Sequence, residues 1–509
     1  MSEGRKPAVG VEAVSMTMRF GAFTALDDVT LRVPAGSFHA LLGENGAGKS
    51  TLVKCMMGFY RPTLGQMLVE EREVAIDSPR DAAQLGLGMV YQHFTLVPSL
   101  TGAENLVISR EQVPAVIDWG RERKALAAFM DTMPFRLPLD VPVRELAAGE
   151  KQKLEIVKQL YLGRRFLILD EPTSVLTPGE AEEVLGIVRG MTEAGELTVL
   201  MISHKFPEIT AFADDFTVLR KGRLTGSGKV AEHDRKAMAA MMIGDQPIAT
   251  LDARQPVDPA AAAVLSVQGI RAPDRTGLKS IDIADLTIKS GEIVGIAGIS
   301  GNGQKEFFEV LAGQRAPTAG TVAVKGRPFH ATRKESRDLA VRYIPEEPLR
   351  NACAPRMTVA ENIAFRTFDL NAAEKPGFWI SAAAIRRFAA DLVAQFKVKT
   401  ASLDSPIQAL SGGNVQRAVL SRELTGKVDL LIVANPCFGL DFSAVAEIRA
   451  RIMKARNQGA AVLLISEDLD ELLELSDRIL VMSDGALVYE TPIATASVQT
   501  IGEHMAGHH

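Results

Sequence analysis

Short apolar runs alternate along this chain with longer stretches of helical periodicity. Phe166–Asp170 and Thr198–Ile202 are apolar runs of strand length, and residues 39–42 form a third. Residues 179–191, which lie between the first two, have the apolar spacing of an amphipathic helix. Strands that are apolar at nearly every position are buried on both faces, as in parallel sheets covered by helices. The pattern predicts an α/β fold with mixed, mainly parallel sheets.

The same series of motifs occurs twice in the chain. Three segments of the first half have counterparts in the second half: 43–50 with 298–305, 146–149 with 410–413, and 202–204 with 465–467. Repetition of several motifs in one order indicates the tandem duplication of a whole domain.

A proline-containing segment separates the two copies. It holds Pro247, Pro256, Pro259 and an alanine run, and it lacks clear apolar periodicity, which is typical of a linker. Residues 112–144 are helical in pattern and punctuated by proline, so we expect an inserted helical subdomain there. The predicted division is a first domain at 1–245, a linker at 246–263, a second domain at 264–499 and a tail at 500–509.

A glycine-rich loop in the first copy carries the clearest chemistry. It fits the pattern G-x-x-x-x-G-K-[ST] with Gly43, Glu44, Asn45, Gly46, Ala47, Gly48, Lys49 and Ser50, and Thr51 continues into the next helix. Backbone N–H groups of such a loop cradle phosphate oxygens at a helix N-terminus. Lys49 would add a charge on the β- and γ-phosphates, and Ser50 a hydroxyl for Mg²⁺. At the end of an apolar strand, Asp170 suits a magnesium-facing carboxylate and Glu171 a base that orients the attacking water.

Composition excludes several other classes of protein. The 509 residues are 47% hydrophobic, which is ample for two cores, and the net charge of −5 argues against general affinity for nucleic acid. No apolar run reaches the roughly 18 residues that cross a bilayer. Cys55, Cys353 and Cys437 are far apart and form no CxxC pair, so a zinc site or a disulfide framework is not indicated.

The motifs together resemble one family. Residues 410–414, with Ser411, Gly412 and Gly413, resemble the signature motif of ATP-binding cassette (ABC) proteins. With the glycine loop, the segment around Gln92, residues 169–173 and residues 203–204, the resemblance covers essentially the whole chain. The tandem layout with a degenerate second copy is similar to the ATP-binding subunits of bacterial simple-sugar and nucleoside importers. Residues 88–98 and 172–178 look most like the branch that takes up nucleosides through a lipoprotein receptor.

The resemblance implies a function and a setting. It implies two tandem P-loop ABC ATPase domains that use ATP and Mg²⁺. Phe20 would stack on adenine, Gln92 would contact Mg²⁺ and link to a permease, and His204 would contact the γ-phosphate. Two membrane permease subunits and a solute-binding lipoprotein or periplasmic protein would be partners. The chain would then be peripheral, at the cytoplasmic face of the bacterial inner membrane.

The second copy departs from these patterns at nearly every reactive position. Gln304 stands at the lysine position and Lys305 at the hydroxyl position. Ala434 and Asn435 fall at the positions of the two carboxylates, Glu467 at that of His204, Glu346 near that of Gln92, and Arg275 at that of the stacking aromatic. An alanine cannot hold a metal and an amide cannot act as a base. We expect weak nucleotide binding at most from this loop, and no useful hydrolysis.

For the signature motif, the second copy is the intact one and the first copy is altered. Ser411-Gly412-Gly413 in the second copy is intact, whereas the first copy has Ala147 in place of the serine. In ABC proteins each nucleotide lies between the glycine loop of one module and the signature helix of the other. If the two domains of this chain pair, the intact loop meets the intact signature, and one composite site is competent while the other is degenerate.

Other tandem or nucleotide-binding classes stay open as alternatives. Soluble tandem ABC factors that act on ribosomes normally have two competent sites and a long charged linker. ABC ATPases of DNA repair carry zinc-binding cysteine pairs. A purely regulatory nucleotide-binding protein would not need Glu171 and His204.

Overall fold

The computed structural model describes residues 7–91, 94–133, 136–146, 148–173, 176, 178–203, 205–244, 250–274, 277, 279–299, 301–369, 380–437, 440 and 442–505. The chain divides into two compact units, Met1–Pro247 (unit 1) and Ile248–His509 (unit 2). Each unit is an α/β domain with its own core.

Unit 1 is built from alternating strands and helices. Its strands are β1 (Val11–Phe20), β2 (Phe23–Val33), β3 (Phe38–Leu42), β4 (Leu64–Val69), β5 (Arg72–Val74), β6 (Leu87–Val90), β7 (Phe166–Asp170), β8 (Thr198–Ile202), β9 (Asp215–Arg220) and β10 (Arg223–Lys229). Its helices are α1 (Lys49–Met56), α2 (Pro79–Gln84), α3 (Gly102–Ile108), α4 (Trp119–Met130), α5 (Ala148–Tyr161), α6 (Pro178–Glu193), α7 (Phe206–Phe212) and α8 (Arg235–Ile243).

The central sheet of unit 1 has the strand order β10-β9-β3-β8-β7-β6. All neighbours from β9 to β6 are parallel, and β10 is antiparallel to β9. Every residue of β3 and β8 is buried, as the apolar runs predict. Carboxyl ends of parallel strands meet at one edge of a sheet, so the loops after β3, β7 and β8 lie together.

A second, antiparallel sheet of unit 1 was not anticipated from the sequence. Its order is β2-β1-β4-β5. Buried and partly exposed residues alternate along β1 and β2 with several register shifts, so the period-2 pattern is broken along their length. The main core of unit 1 lies between this sheet and the central sheet, around α1.

A helical subdomain has its own small core in unit 1. Helices α3, α4 and α5 pack through Leu106, Leu126, Met130 and Leu154. Thr101 begins α3 with a capping box, since its hydroxyl accepts from Glu104 N while the Glu104 carboxylate accepts from Thr101 N. Helix α4 lies within the range 112–144, where helical structure is predicted.

Unit 2 repeats this architecture. Its strands are β11 (Ala263–Pro273), β12 (Ser280–Lys289), β13 (Ile293–Ala297), β14 (Ala319–Val324), β15 (Arg327–Pro328), β16 (Val341–Ile344), β17 (Leu430–Ala434), β18 (Ala461–Ser466), β19 (Arg478–Ser483) and β20 (Ala486–Pro492). Its helices are α9 (Gln304–Leu311), α10 (Arg333–Asp338), α11 (Pro348–Asn351), α12 (Val359–Ile363), α13 (Ala382–Gln395), α14 (Gly412–Glu423), α15 (Phe442–Asn457), α16 (Leu469–Leu475) and α17 (Val498–Met505).

The two sheets of unit 2 are joined at one strand pair. The order is β15-β14-β11-β12-β20-β19-β13-β18-β17-β16, and β12 meets β20 through the pair Asp282 and Ala486. The strands from β19 to β16 are parallel, in the same order as β9 to β6 of unit 1. Both units therefore place the loops after corresponding strands at the same sheet edge.

Both ends of unit 2 differ from the sequence-based division. The predicted linker packs on unit 2, where Asn457 Nδ2 donates to Ala253 O (3.1 Å) and Arg254 Nη2 donates to Glu474 O (2.8 Å). The predicted tail at 500–509 is helical as far as Met505, because α17 buries Ile501 and Met505, one turn apart, against the core. Within the described residues, no helix is long and apolar enough to cross a membrane.

Candidate functional site

The glycine loop of unit 1 joins β3 to α1 at the carboxyl edge of the central sheet. Gly46 and Gly48 have φ of 81° and 107°, a region that favours glycine. A Cβ on Gly48 would also lie 2.9 Å from Leu26 Cδ2 and 3.0 Å from Ala25 O, so the loop lies too close to β2 for a side chain there. The loop backbone thus leads into the N-terminus of α1, and the free N–H groups of the first helical turn point toward the loop.

Lys49, the first residue of α1, lies inside this loop. Its Nζ donates to Gly43 O (2.5 Å) and Glu44 O (3.2 Å). The side chain is half-buried, and Ser50 beside it is exposed. An ammonium enclosed by backbone carbonyls next to a helix N-terminus is positioned to meet a phosphate group.

Two carboxylates follow at the end of β7. Register places Asp170 opposite Ile202 of β8, and Ile202 pairs with Leu41 of β3, so only β8 separates these carboxylates from the glycine loop. Glu171 has a left-handed φ of 49°, and its N–H donates to Ile202 O (2.9 Å). A residue other than glycine held in this uncommon backbone conformation is a feature found at functional sites.

The electrostatics around Asp170 favour a cation. Burial raises the pKa of the Asp170 carboxyl, and the charge of Glu171 raises it further, while Lys49 and Lys54 lower it. A partly buried carboxylate beside a second carboxylate supplies oxygen donors of the kind that suit a hard divalent cation such as Mg²⁺.

The segment after β8 is held from both sides of residue 204. Ser203 Oγ donates to Glu208 Oε2 (3.1 Å) and accepts from Lys205 N (3.1 Å). Lys205 Nζ donates to Thr173 O (3.0 Å), and Thr173 Oγ1 donates to Glu208 as well. His204 itself lies outside the described residues, as does Gln92 after β6.

Phe20 is the last residue of β1. Its side chain is 43% exposed, and its ring meets that of Tyr60 edge to face at 5.4 Å between centroids. The ring is therefore partly open to solvent, as stacking on a base requires.

The glycine loop of unit 2 keeps the backbone and changes the chemistry. Gly301 and Gly303 have φ of 93° and 105°, close to the values in unit 1. Gln304 replaces the lysine, is 8% exposed, and donates from Nε2 to Ile299 O (3.2 Å). Lys305, at the hydroxyl position, is exposed. This loop therefore presents a neutral amide where unit 1 presents an ammonium.

Strand register shows which residues of unit 2 correspond to Asp170 and Glu171. Ala434 pairs with Ile465 as Asp170 pairs with Ile202. Asn435 has a φ of 43°, and its N–H donates to Ile465 O (2.8 Å), as Glu171 does to Ile202. Asn435 Oδ1 accepts from Glu467 N (3.0 Å), so the amide at the position of Glu171 binds the backbone at the position of His204.

The stacking position also changes in unit 2. Met18 pairs with Leu26 in β1 and β2, and Ala272 pairs with Ile281 at the corresponding place in β11 and β12. Two residues further along, Asp274 is therefore the equivalent of Phe20. The sequence count instead pointed to Arg275, which lies outside the described residues. The difference arises because the β11–β12 turn is longer than the β1–β2 turn.

The two signature helices begin differently. In unit 2, Ser411 is the N-cap of α14, both Ser411 and Gly412 are exposed, and Ser411 Oγ accepts from Asn414 Nδ2 (2.8 Å). Within the part of the chain that the structure describes, this hydroxyl caps no backbone N–H of its helix. The first turn of α14 thus presents N–H groups and a hydroxyl to an anion.

In unit 1 the corresponding helix start is covered by a carboxylate. A Cβ on Gly149 would lie 2.1 Å from Glu180 Oε1, so this side chain from α6 lies against the first turn of α5. A carboxylate at a helix N-terminus is favourable, and it competes with any phosphate for the same groups. Ala147 lies outside the described residues.

Sequence reasoning missed the residues that hold these loops. Glu208 binds Ser203 and Thr173, and Glu471 holds Ser466 in unit 2, where Ser466 Oγ donates to Glu471 Oε2 (2.7 Å). The signal was present, because a serine followed by a glutamate five residues later occurs in both copies. Buried carboxylates that accept from a neighbouring hydroxyl fix a loop without touching a ligand.

Comparison with known families agrees with this geometry. The model of the ABC transporter family matches residues 26–174 and again residues 281–437. The two matches fall in unit 1 and unit 2, and each includes the glycine loop and the strand end that follows the signature helix.

Several named proteins are similar over nearly the whole chain. The nucleoside import ATP-binding protein NupA of Lactococcus lactis is 36% identical over 501 residues, which is 98% of both chains. The glucose import ATP-binding protein TsgD13 of Haloferax volcanii is 37% identical, over 99% of this chain and 96% of its own. A ribose import ATP-binding protein, RbsA 1 of Rubrobacter xylanophilus, is 35% identical, over 96% of this chain and 97% of its own.

Among solved structures, the archaeal ribosome recycling factor aABCE1, in complex with the stalk protein aP1, superposes with a TM-score of 0.62. The match covers 94% of this chain and 90% of that one at 20% identity. That level of identity shows a shared fold alone. The family matches and the full-length relatives go further: this chain belongs to the ABC transporter family, as an ATPase with two tandem ATP-binding domains.

Proposed function

We propose that this chain is the ATP-hydrolysing, energy-coupling subunit of a bacterial ABC importer for a nucleoside or a simple sugar. The observation that carries the proposal is similarity over nearly the whole length to proteins named for nucleoside, glucose and ribose import. The intact set of reactive residues in unit 1 supports it, because energy coupling needs at least one hydrolytic site.

The proposed chemistry takes place at the glycine loop of unit 1. The loop backbone and Lys49 hold the β- and γ-phosphates, and Phe20 stacks on adenine. Ser50, Gln92 and Asp170 would hold Mg²⁺, which when bound offsets the negative charge of the phosphates. Glu171 orients the attacking water and takes up its proton, while His204 contacts the γ-phosphate.

The site becomes complete only when a signature helix closes over it. We propose that this helix is α14 of the same chain, so that Ser411, Gly412 and Gly413 contact the γ-phosphate bound at Lys49. The exposed start of α14 supports this role, and the carboxylate of Glu180 at the start of α5 argues against the same role for unit 1. The second composite site would then combine Gln304 with the α5 start and hydrolyse no ATP.

The proposed partners are two membrane permease subunits and a solute-binding lipoprotein or periplasmic protein, with the chain at the cytoplasmic face of the inner membrane. Co-expression with neighbouring permease genes and affinity purification from membranes test this directly. We expect two hydrophobic subunits to co-purify and to raise the ATPase rate, because a partner that favours the closed state shifts that population.

A ribosome-associated function is the competing outcome of that experiment. The likeness to the recycling factor concerns the fold only and names no partner for this chain. Sedimentation of the chain with ribosomes, together with an ATPase rate that membrane subunits leave unchanged, would overturn the importer proposal.

A further inference from the structure

A cavity of about 720 Å³ opens in unit 2 between the edge strand β16 and the helices α12, α13 and α14. Its volume falls in the range of small-molecule sites, roughly 300–1,000 Å³. The sheet side and the turn before β17 contribute Arg342 and Lys427, and the helical side contributes Ile363, Ile385 and Phe388. The cavity therefore combines cationic groups with an apolar surface.

The cavity lies away from the glycine loop of unit 2. Arg342 is near the start of β16, and Lys427 precedes β17, so both lie at the amino edge of the parallel strands. The glycine loop follows β13 at the carboxyl edge. A ligand in the cavity would thus be separate from any nucleotide at that loop.

The cavity carries an excess of positive charge. Among the described residues, seven cationic side chains line it, and four carboxylates line it or pair with those side chains, which leaves three positive charges. The cationic residues are Lys325, Arg333, Arg337, Arg342, Arg366, Arg422 and Lys427, and the carboxylates are Asp338, Asp369, Glu423 and Asp429.

Arg342 is the least compensated of these groups. Nη1 reaches Val341 O at 3.4 Å and Nη2 reaches Lys427 O at 3.3 Å, both long for hydrogen bonds. Its buried Nε has no hydrogen-bond partner, and no carboxylate of the described residues lies within 4.0 Å of the guanidinium. Burial lowers the pKa of Arg342, and the charge of Arg366 lowers it further, while Glu423 and Asp429 oppose the shift. A guanidinium in this state is suited to a bidentate oxyanion.

The corresponding place in unit 1 has different chemistry. Helices α2 and α10 and strands β6 and β16 have equal lengths, so Arg337 and Arg342 correspond to Ala83 and Gly88. A Cβ on Gly88 would lie 2.7 Å from Arg164 Cγ and from Gln159 Oε1, so unit 1 has no room for a side chain there. The cationic cavity is therefore not a requirement of the shared fold.

We propose that this cavity binds a small phosphate monoester with an apolar or aromatic portion, of the class of nucleoside monophosphates. The phosphate would pair with Arg342 and Arg337, and the remaining portion would pack on Ile385 and Phe388. Such a ligand would act as an effector, because it bridges the sheet of unit 2 and its helices α12, α13 and α14.

Calorimetric titration of the full chain with AMP tests the proposal, in the presence of a saturating magnesium complex of a non-hydrolysable ATP analogue. We expect saturable binding of AMP, and at least tenfold weaker binding of adenosine and of inorganic phosphate. Arg342→Gln should weaken AMP binding about tenfold or more, whereas Arg356→Gln, at an exposed arginine outside the cavity, should leave it unchanged.

Arg337→Gln guards against a variant that fails to fold. Arg337 is 32% exposed and pairs only loosely with Asp338 (3.6 Å), so its loss should leave thermal unfolding unchanged and still weaken AMP several-fold. Absence of saturable AMP binding would overturn the proposal. The proposal would also be overturned if folded Arg342→Gln and Arg337→Gln bound AMP as tightly as the unaltered chain does. Complete displacement of AMP by the ATP analogue would overturn it as well.

Discussion

The two glycine loops of this chain share a backbone and differ in side chains. Gly46 and Gly48 match Gly301 and Gly303 in their positive φ values within about 12°. Yet an ammonium in one loop is a neutral amide in the other. The comparison teaches that a phosphate-binding loop shape persists on packing alone, because neighbouring strands leave no room for a Cβ at either third glycine. The chemistry depends on the few side chains that the shape presents.

The strand ends extend the same comparison. Glu171 and Asn435 have the same left-handed conformation and the same backbone hydrogen bond. In unit 2 this geometry serves a structural contact, since Asn435 Oδ1 accepts from Glu467 N (3.0 Å). A backbone conformation that is uncommon for a residue other than glycine is thus shared by two residues whose side chains differ in chemistry.

The ion pairs differ between the loop that follows β8 in unit 1 and the loop that follows β18 in unit 2. In unit 1, Lys205 pairs with Glu208 at 3.4 Å. In unit 2, Asp468 stands at the lysine position, and Arg449 of α15 lies 3.8 Å from the buried Glu471. Helices α6 and α15 have equal lengths, so Arg449 corresponds to the buried Leu185. A buried carboxylate needs a cationic partner, and the partner has moved from the loop to the helix.

The largest difference between the two units should come from substitution of the residue that follows the third glycine, Lys49 in unit 1 and Gln304 in unit 2. Lys49→Ala should abolish transport and lower ATPase activity by roughly a hundredfold or more, because it removes a preorganised charge from the β- and γ-phosphates. Gln304→Ala should change activity little. Steady-state ATPase assays of both variants in the assembled transporter measure the difference, and comparable losses would mean that unit 2 has a chemistry of its own.

Glu171→Gln, which replaces the proposed base, should lower the ATPase turnover rate by about a hundredfold while ATP binding is retained. Glu171→Gln keeps the shape of the side chain and removes the proton acceptor, so the ATP-loaded state should accumulate. Asn435→Glu should restore no activity, since Ala434 and Gln304 still lack the metal ligand and the charge. Retention of labelled ATP on filters, beside the rate of phosphate release, distinguishes binding from hydrolysis. Rapid release of phosphate by Glu171→Gln would contradict the assignment.

Much of the fold was predictable because the central parallel strands are apolar at nearly every position. The runs at β3, β7 and β8 fall where the sequence pattern places them, since strands covered on both faces leave a continuous signal. The antiparallel sheets were not predictable in the same way. Their strands face the core on one side only, and bulges such as those in β1 interrupt the alternation.

The candidate site residues belong to motifs that the sequence displays directly, whereas the residues that hold their loops are harder to find. Lys49 and Asp170 belong to short motifs whose spacing is set by the loop and the strand. Glu208 is marked only by the repeated spacing of a serine and a glutamate five residues apart. Arg449 acts through a contact between separate elements, which no local pattern records. The C-terminal helix was missed for a related reason, because Ile501 and Met505 form a two-residue apolar stripe that is too short to signal a helix.

The proposed crossed site predicts an effect of intermediate size. Ser411→Ala should lower ATPase activity by about ten- to hundredfold, the scale of one hydrogen bond to a charged group, roughly 1.5–3 kcal/mol. Ala147→Ser should restore nothing, because the loop that it would face lacks the lysine. A double variant of Lys49 and Ser411 should be little worse than Lys49→Ala alone, as expected for groups that serve one site.

The control for this prediction lies within the same helix. Ser421 of α14 is buried and donates to Ala418 O (2.8 Å), so Ser421→Ala removes a hydroxyl from the helix without touching its start. It should leave the ATPase rate unchanged. A silent Ser411→Ala beside a damaging change at Gly149 would show that the domains do not pair within the chain as proposed.

The smallest expected effect is a pH dependence that only unit 1 can produce. Burial raises the pKa of Asp170, the neighbouring Glu171 raises it further, and Lys49 and Lys54 oppose this shift. Protonated carboxyl groups do not bind Mg²⁺, so a raised pKa means that protons compete with the metal at a higher pH than at an ordinary aspartate. The Mg²⁺ concentration for half-maximal ATPase activity should therefore rise as the pH falls, by a few-fold before the enzyme unfolds. Asp170→Asn should raise the required Mg²⁺ concentration at every pH and should flatten its change with pH. Ala434, the counterpart of Asp170 in unit 2, has no group that titrates. A Mg²⁺ requirement that stays constant down to the pKa of an exposed aspartate would show that Asp170 does not face the metal.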